Sequence, residues 1–175
     1  MKERLHKTLR HTHGKSVGFK QDLIILPNGK LAQRDYLTHP GAVGVLPFLD
    51  RNHVILVGQY RFPVQKYTYE IPAGKLDKGM SPDKTVRMEL QEETGYRAKR
   101  WRKMLAFWPT AAFATELIHV YLAKDLTPGK TNPDEDEFID TRILSLREMD
   151  RWIRKGKIQD SKTLIAYLFW KQHFS

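Results

Sequence analysis

The chain has 175 residues, of which 41% are hydrophobic and 29% charged, as in one globular domain large enough to bury a full core. It contains no cysteine, which excludes a disulfide framework, a thiolate metal site and a cysteine nucleophile. The net charge of +10 favours polyanions or phosphorylated small molecules as ligands, although a solvated surface that keeps the protein soluble is the simpler explanation.

The N-terminal part is predicted to be a basic tail followed by a small β unit. Residues 1–16 are polar, basic and rich in histidine, and we expect a flexible tail there rather than a metal site. Because this segment has no apolar run, we expect a cytoplasmic protein without membrane contact. Residues 22–26 and 31–36 flank Asn28-Gly29, the signal for a hairpin with a type I′ turn. We therefore predict an antiparallel β unit over residues 17–38.

The remainder, residues 39–175, is predicted to be one layered α/β domain. A continuous apolar run at residues 54–57 is typical of a strand that is covered on both faces. The mixture of strands with two or three helices indicates helix–sheet–helix layers. The predicted strands of this domain cover residues 42–49, 53–59, 101–108, 117–123 and 138–144.

Three helices are expected in this domain. The first begins after Ser81, a favourable N-cap, and ends at Gly95. The second begins at a capping box formed by Ser145 and Glu148. The last covers residues 161–173 and is apolar nearly all round, so we expect it to be well buried.

Three carboxylates in the first helix, Glu89, Glu92 and Glu93, are the main functional signal. Their i, i+3 and i+4 spacing places them on one face, where like charges cost a few tenths of a kcal/mol per pair. A sequence that accepts this cost usually holds a cation there. Because carboxylate oxygens are hard ligands, we expect Mg²⁺, with Mn²⁺ as the alternative.

The window around these carboxylates resembles the Nudix box, whose pattern is Gly-x5-Glu-x7-Arg-Glu-U-x-Glu-Glu-x-Gly-U, with U a bulky apolar residue. The spacing is kept over all 23 positions of residues 74–96. Met80 stands where the pattern has its first Glu, and Met88 stands where it has Arg. The matching residues are Gly74, Glu89, Leu90, Glu92, Glu93, Gly95 and Tyr96.

Landmarks outside the box resemble the ADP-ribose pyrophosphatase branch of the Nudix hydrolases. The resemblance implies a Nudix-type α/β/α sandwich with a mixed sheet, plus the small N-terminal antiparallel β unit. It implies Mg²⁺-dependent hydrolysis of the diphosphate of ADP-ribose or another nucleoside diphosphate sugar. It also implies a homodimer in which the N-terminal strands cross to the partner. The landmarks lie at residues 39–43, 59–61, 70–74, 134–137 and 156–163.

The same resemblance assigns the metal ligands. Glu89 and Glu93 would bind the cation, and the carbonyl of Ala73 and the side chain of Glu92 would complete the cluster. Glu137 would approach from a loop as a further ligand. Taken alone, the acidic run at residues 134–137 would be a solvated turn.

The catalytic and substrate-binding residues are assigned in the same way. Glu135 is the best match for the general base, and Glu92 and Glu137 are the other catalytic candidates. Arg61 is the candidate contact for the diphosphate, although an exposed arginine at a strand end explains it equally well. Glu70 and Glu116 match positions that help to hold the substrate, and ordinary surface salt bridges are their alternative explanation.

Two departures from the family pattern qualify this interpretation. We hypothesise that Met80 and Met88 touch and replace the missing ion pair, because two thioethers can fill the space of a lost charge pair. Their presence would leave Glu89 less firmly oriented. Residues 110–113 read Thr-Ala-Ala-Phe, where the branch usually has a Ser-Pro-Gly type of loop, which puts ADP-ribose specificity in question.

Two other functions remain open from the sequence. The basic surface motivates hydrolysis of dinucleotides or RNA 5′ ends, although we do not expect nucleic acid as a partner. The two methionines motivate a catalytically weak module that senses a nucleotide.

Overall fold

The computed structural model describes residues 1–132 and 138–174. The chain divides into two compact units, one formed by residues 1–41 with 108–117 and the other by residues 42–107 with 118–175. No helix in the described part of the chain is long and apolar enough to cross a membrane.

The first unit contains a three-stranded antiparallel sheet in the order β1-β2-β3. Its strands are β1 (Arg4–His13), β2 (Gly18–Ile25) and β3 (Leu31–Thr38). Strand β1 replaces most of the flexible tail expected for residues 1–16, and it pairs with β2 from one end to the other. Every residue of β1 is exposed. A strand without a buried face needs no alternation of apolar and polar residues, which is the signal that predicts a strand from sequence.

The hairpin between β2 and β3 is confirmed, but its predicted type I′ turn is wrong. Gly29 has a φ of 83°, whereas Asn28 does not share the positive φ that a type I′ turn requires. The turn begins one residue earlier, and the Gly29 amide donates to the Leu26 carbonyl at 2.9 Å. Pro27 explains the difference, because its ring fixes a negative φ at the first central position.

The second unit contains a mixed four-stranded sheet and an antiparallel three-stranded sheet. The mixed sheet has the order β7-β4-β9-β8, with β4 and β9 parallel, and the second sheet has the order β10-β5-β6. The strands are β4 (Ala42–Pro47), β5 (His53–Arg61), β6 (Lys66–Glu70), β7 (Ala73–Lys75), β8 (Tyr96–Phe107), β9 (Ile118–Pro128) and β10 (Asp140–Ser145). The helices are α1 (Pro82–Thr94), α2 (Leu146–Arg154) and α3 (Ser161–His173), with a 3₁₀ turn at Phe62–Val64.

Helices cover both faces of the mixed sheet, as the α/β/α prediction requires. Val86 and Leu90 of α1 are buried against one face, in a cluster with residues of β4 and β9. Met149 of α2 and Ala166 and Trp170 of α3 belong to the larger cluster on the other side, together with β5. The apolar run at residues 54–57 is fully buried, which confirms a strand covered on both faces.

Five of the predicted strands are confirmed as β4, β5, β8, β9 and β10, with shifted ends. Strand β8 begins at Tyr96 rather than at residue 101, because the basic stretch before Trp101 also pairs with β9. Strands β6 and β7 have only five and three residues and were not predicted. Such short segments carry too little periodicity to be recognised in sequence.

The three helices begin and end close to the predicted positions. The Ser81 hydroxyl accepts from the backbone of α1, and Gly95 ends that helix with a φ of 75°. The capping box of Ser145 and Glu148 is present at the start of α2. Helix α3 differs from its prediction, because it is buried along one face only and Leu168 on the opposite side is 51% exposed.

Candidate active site

The predicted acidic face of α1 lies against β7. Glu93 is 5% exposed, and its Oε2 accepts a hydrogen bond from the backbone amide of Ala73 at 2.9 Å. The Glu89 carboxylate fills the space beside Gly74, where an added Cβ would lie 1.7 Å from the Glu89 Oε1. Only glycine leaves room for that carboxylate. The structure therefore brings together three of the predicted positions, at residues 73, 89 and 93.

Glu92 lies on the same helix and is half-buried, and its carbonyl accepts from the backbone amide of Asn132 at 3.1 Å. Glu135 and Glu137 fall outside the described residues. Within residues 1–132 and 138–174, no group of three or more His, Cys, Asp or Glu side chains is arranged so that it could hold a metal ion. The assignment of Glu89, Glu92, Glu93 and the Ala73 carbonyl as metal ligands therefore stays a prediction.

A second predicted pair, Arg61 and Glu70, forms a bidentate ion pair between β5 and β6. The Arg61 Nε donates to one Glu70 oxygen at 2.8 Å, and its Nη2 donates to the other at 2.6 Å. Glu70 is 2% exposed, whereas the Arg61 side chain is 42% exposed. The carboxylate is therefore buried behind the guanidinium, which faces solvent.

Two further side chains bind the Glu70 carboxylate. The Thr68 hydroxyl donates to it at 2.6 Å, and the Lys162 ammonium at the start of α3 also donates to it. Lys162 binds Asp160 as well, at 2.9 Å, and Asp160 caps α3 by accepting from the Thr163 amide at 2.9 Å. This set of Arg61, Glu70, Asp160 and Lys162 is called the charge cluster below.

The charge cluster controls the ionisation of Glu70. Burial acts to raise the Glu70 pKa, but the bonds from Arg61 and the charge of Lys162 outweigh it and lower the pKa to about 2. The bond to Glu70 likewise raises the pKa of Arg61. Glu70 and Arg61 are therefore both charged at neutral pH. A cavity of about 660 Å³ opens beside them, lined also by Pro63 and Gln159.

Sequence reasoning missed Lys162 and Asp160. Both lie within the landmark segment at residues 156–163, for which the resemblance implies no particular side-chain role. They lie about ninety residues from Glu70 along the chain, so spacing alone does not link them. The available signal was Asp160 itself, a good N-cap directly before the last predicted helix.

The predicted substrate residue Glu116 belongs to the first unit of the chain. Its Oε1 lies 3.7 Å from the Nε2 of His39. The His39 Nδ1 faces the amide of Gly41 at 3.1 Å, so it accepts that bond and leaves Nε2 as the protonated nitrogen facing Glu116. The loop at residues 110–113 lies in the same unit, and the Leu37 amide of β3 donates to its Phe113 carbonyl at 2.8 Å.

The two methionines of the box have different environments. Met88 is 38% exposed on α1, and Met80 is half-buried after a turn in which its amide donates to the Asp77 carbonyl at 3.0 Å. Neither residue belongs to the two hydrophobic clusters. The contact between their side chains stays a prediction. Arg87 points elsewhere, with its guanidinium 4.7 Å from the centre of the Trp101 ring.

Comparison with known proteins identifies related chains. A family model described as the NUDIX domain matches residues 38–167. A methanol dehydrogenase activator from Bacillus methanolicus is 42% identical over 166 residues, which are 94% of this chain and 90% of that protein. An ADP-ribose pyrophosphatase from Bacillus subtilis (strain 168) is 41% identical over 155 residues, covering 87% and 84% of the two chains.

The fold also has a close counterpart among solved structures. The crystal structure of an ADP compounds hydrolase matches with a TM-score of 0.86, over 98% of this chain and 94% of that one. At 18% sequence identity this likeness concerns the fold.

Proposed function

The chain belongs to the Nudix family of pyrophosphohydrolases, and we propose that it hydrolyses the diphosphate bond of a nucleoside diphosphate sugar, with ADP-ribose as the first candidate. The observation that carries the proposal is the packing of the Glu89 and Glu93 carboxylates against residues 73 and 74. This packing supports the proposal, because it places both carboxylates beside residues 73 and 74, where the proposed cation would be held. The relative from Bacillus subtilis is named for hydrolysis of such a substrate.

Mg²⁺ is the proposed cofactor. Glu89, Glu92, Glu93, the Ala73 carbonyl and Glu137 would hold it, and these donors fit because all of them are hard oxygen atoms. The chain has no cysteine that would favour a softer metal. When bound, the cation neutralises charge on the diphosphate oxygens and lowers the pKa of water.

The proposed reaction needs no covalent enzyme intermediate. The oxygen of a water molecule attacks one phosphorus in line and the bond from that phosphorus to the bridging oxygen breaks. The bridging oxygen leaves on the other phosphate, which gives a nucleoside monophosphate and a sugar phosphate. Glu135 is proposed to take the proton of the water, with Glu137 and Glu92 as the other candidates.

Arg61 is the proposed contact for the diphosphate. Its Nε and Nη2 bind Glu70, so Nη1 stays available for a phosphate oxygen. Because the Glu70 carboxylate is buried and occupied by donors, we propose that it serves the substrate by holding Arg61. Glu116, whose carboxylate is half-buried beside His39, remains a proposed substrate contact.

A homodimer is proposed for the assembly. Strand β1 is an edge strand whose residues are all exposed, including Leu5 at 59% and Leu9 at 45%. An open edge with apolar side chains offers both backbone and side-chain contacts to another chain. Light scattering coupled to size-exclusion chromatography should give twice the monomer mass. A monomer at micromolar concentration would contradict the proposal.

A substrate panel tests the activity. It contains ADP-ribose, GDP-mannose, UDP-glucose and a dinucleotide, each assayed with and without Mg²⁺. Glu93→Gln should abolish turnover, because the amide replaces a charged oxygen next to Ala73. Glu148→Gln is the matched control, since glutamine also serves in a capping box and activity should be kept. No turnover on any compound would favour the nucleotide-sensing alternative.

A further inference from the structure

The charge cluster contains a lysine to which no role has been assigned. We propose that Lys162 is a positioning residue that compensates the negative charge of Glu70 and so leaves the positive charge of Arg61 available to an anionic substrate. The inference rests on the proposed function, in which Arg61 contacts the diphosphate. It goes further by giving a specific electrostatic task to a residue of α3.

The geometry places Lys162 behind Arg61. Both nitrogens of the Arg61 fork point at the Glu70 carboxylate, and the Lys162 ammonium approaches one oxygen of the same carboxylate. The Lys162 side chain is 13% exposed and that of Glu70 is 3% exposed. Lys162 is therefore held inside the cluster, whereas Arg61 reaches the cavity wall and solvent.

The charges of the cluster balance only when Lys162 is present. Arg61 and Lys162 supply two positive charges, and Glu70 and Asp160 supply two negative charges. Without the ammonium, the four residues of the cluster would carry one positive charge, on Arg61, against two carboxylates, so the cluster would attract a diphosphate less strongly. Water and salt screen such a change weakly, because the groups behind Arg61 are largely buried.

Lys162→Met tests this role, since methionine keeps much of the apolar stem and removes the charge. We expect the KM for the hydrolysed nucleotide sugar to rise about tenfold, with kcat changed less than about twofold. Binding of α,β-methylene-ADP, measured by calorimetry, should weaken by a similar factor. Lys171→Met is the matched control on the same helix, because Lys171 pairs with Asp150 outside the cluster and its loss should leave KM unchanged.

A second variant separates charge from structure. Asp160→Asn keeps an oxygen that can cap α3 but removes one negative charge. In the double variant Lys162→Met/Asp160→Asn the cluster is neutral again, so KM should return towards the value of the unmodified protein. A purely structural role of Lys162 predicts no such recovery, because Asp160→Asn restores neither the stem of the lysine nor its bonds to Glu70 and Asp160.

An additional measurement separates this inference from the proposed function. Carbon NMR of the Glu70 carboxyl group should show a higher pKa in Lys162→Met than in the unmodified protein, whether or not any nucleotide is hydrolysed. If the unmodified protein hydrolyses nothing on the panel but the Glu70 pKa rises, the proposed function fails and the charge compensation stands. An unchanged Glu70 pKa, an unchanged KM in an active enzyme, or a double variant no better than Lys162→Met would each overturn the inference.

Discussion

Replacing Glu70 by glutamine should remove a contribution to the free energy of unfolding, and this contribution depends on pH. The folded-state pKa of Glu70 is about 2, against an ordinary value of 4.5. A carboxyl group whose pKa is lowered by folding stabilises the folded state above its unfolded pKa, and this stabilisation is lost as the pH falls towards the folded pKa. The pH window to examine therefore extends from about 5 down to 2.

The size of the effect follows from the same two values. The gap between 4.5 and about 2 corresponds to about 3 kcal/mol at pH 7. The Glu70 side chain is only 3% exposed, so solvent screening gives little reason to reduce this figure. About 2 kcal/mol of it should be lost between pH 7 and pH 3, where the folded protein still holds Glu70 mostly ionised.

Urea unfolding of the unmodified protein and of Glu70→Gln, followed by circular dichroism at several pH values, measures this contribution. The two proteins share all other carboxylates, so the difference between their free energies of unfolding isolates Glu70. That difference should shrink by about 2 kcal/mol from pH 7 to pH 3. A difference that stays constant over this range would refute the reasoning, because it would mean that Arg61 and Lys162 do not stabilise the ionised carboxylate.

Two other substitutions test separate parts of the structure. Gly74→Ala places a methyl group on the Glu89 carboxylate, so turnover should fall about 100-fold while the circular dichroism spectrum is kept; activity within a factor of two would show that the carboxylate can move without consequence. Ser145→Ala removes the hydroxyl that accepts from the Glu148 amide, so thermal unfolding should show a loss of about 1 kcal/mol. An unchanged melting temperature would mean that this cap contributes nothing measurable.

The sequence predicted those parts of the fold that have a local signal. Ser81 caps the start of α1 and Gly95 ends the helix. Each of them forms its hydrogen bond with a residue only a few positions away in the chain. Strand β1 has no such signal, since it is held by backbone bonds to β2 and buries no side chain. The turn between β2 and β3 departs from the type I′ signal of Asn28-Gly29, because Pro27 directly before it fixes a negative φ and the turn closes from Leu26 to Gly29.

The same distinction applies to the candidate site. The spacing of Glu89 and Glu93 in one helix was enough to predict a shared face, and the structure places both against β7. The environment of Glu70 was not predictable, because its partners come from β5 and from α3, far apart along the chain. Its match to the family pattern identified Glu70 as a candidate for substrate binding. Only the bonds to its carboxylate indicate that it holds Arg61.

The methionines at positions 80 and 88 raise the question of what orients Glu89 when the family's Glu and Arg are absent. Contacts that involve neither methionine side chain restrain the loop and the helix. The Glu89 carboxylate fills the space left by Gly74, and Glu93 binds the amide of the preceding residue. The loop itself is closed by the backbone bond from Met80 to Asp77. Because these restraints depend on the absence of a Cβ at Gly74 and on main-chain groups, they do not require the Glu and Arg that the box pattern has at positions 80 and 88.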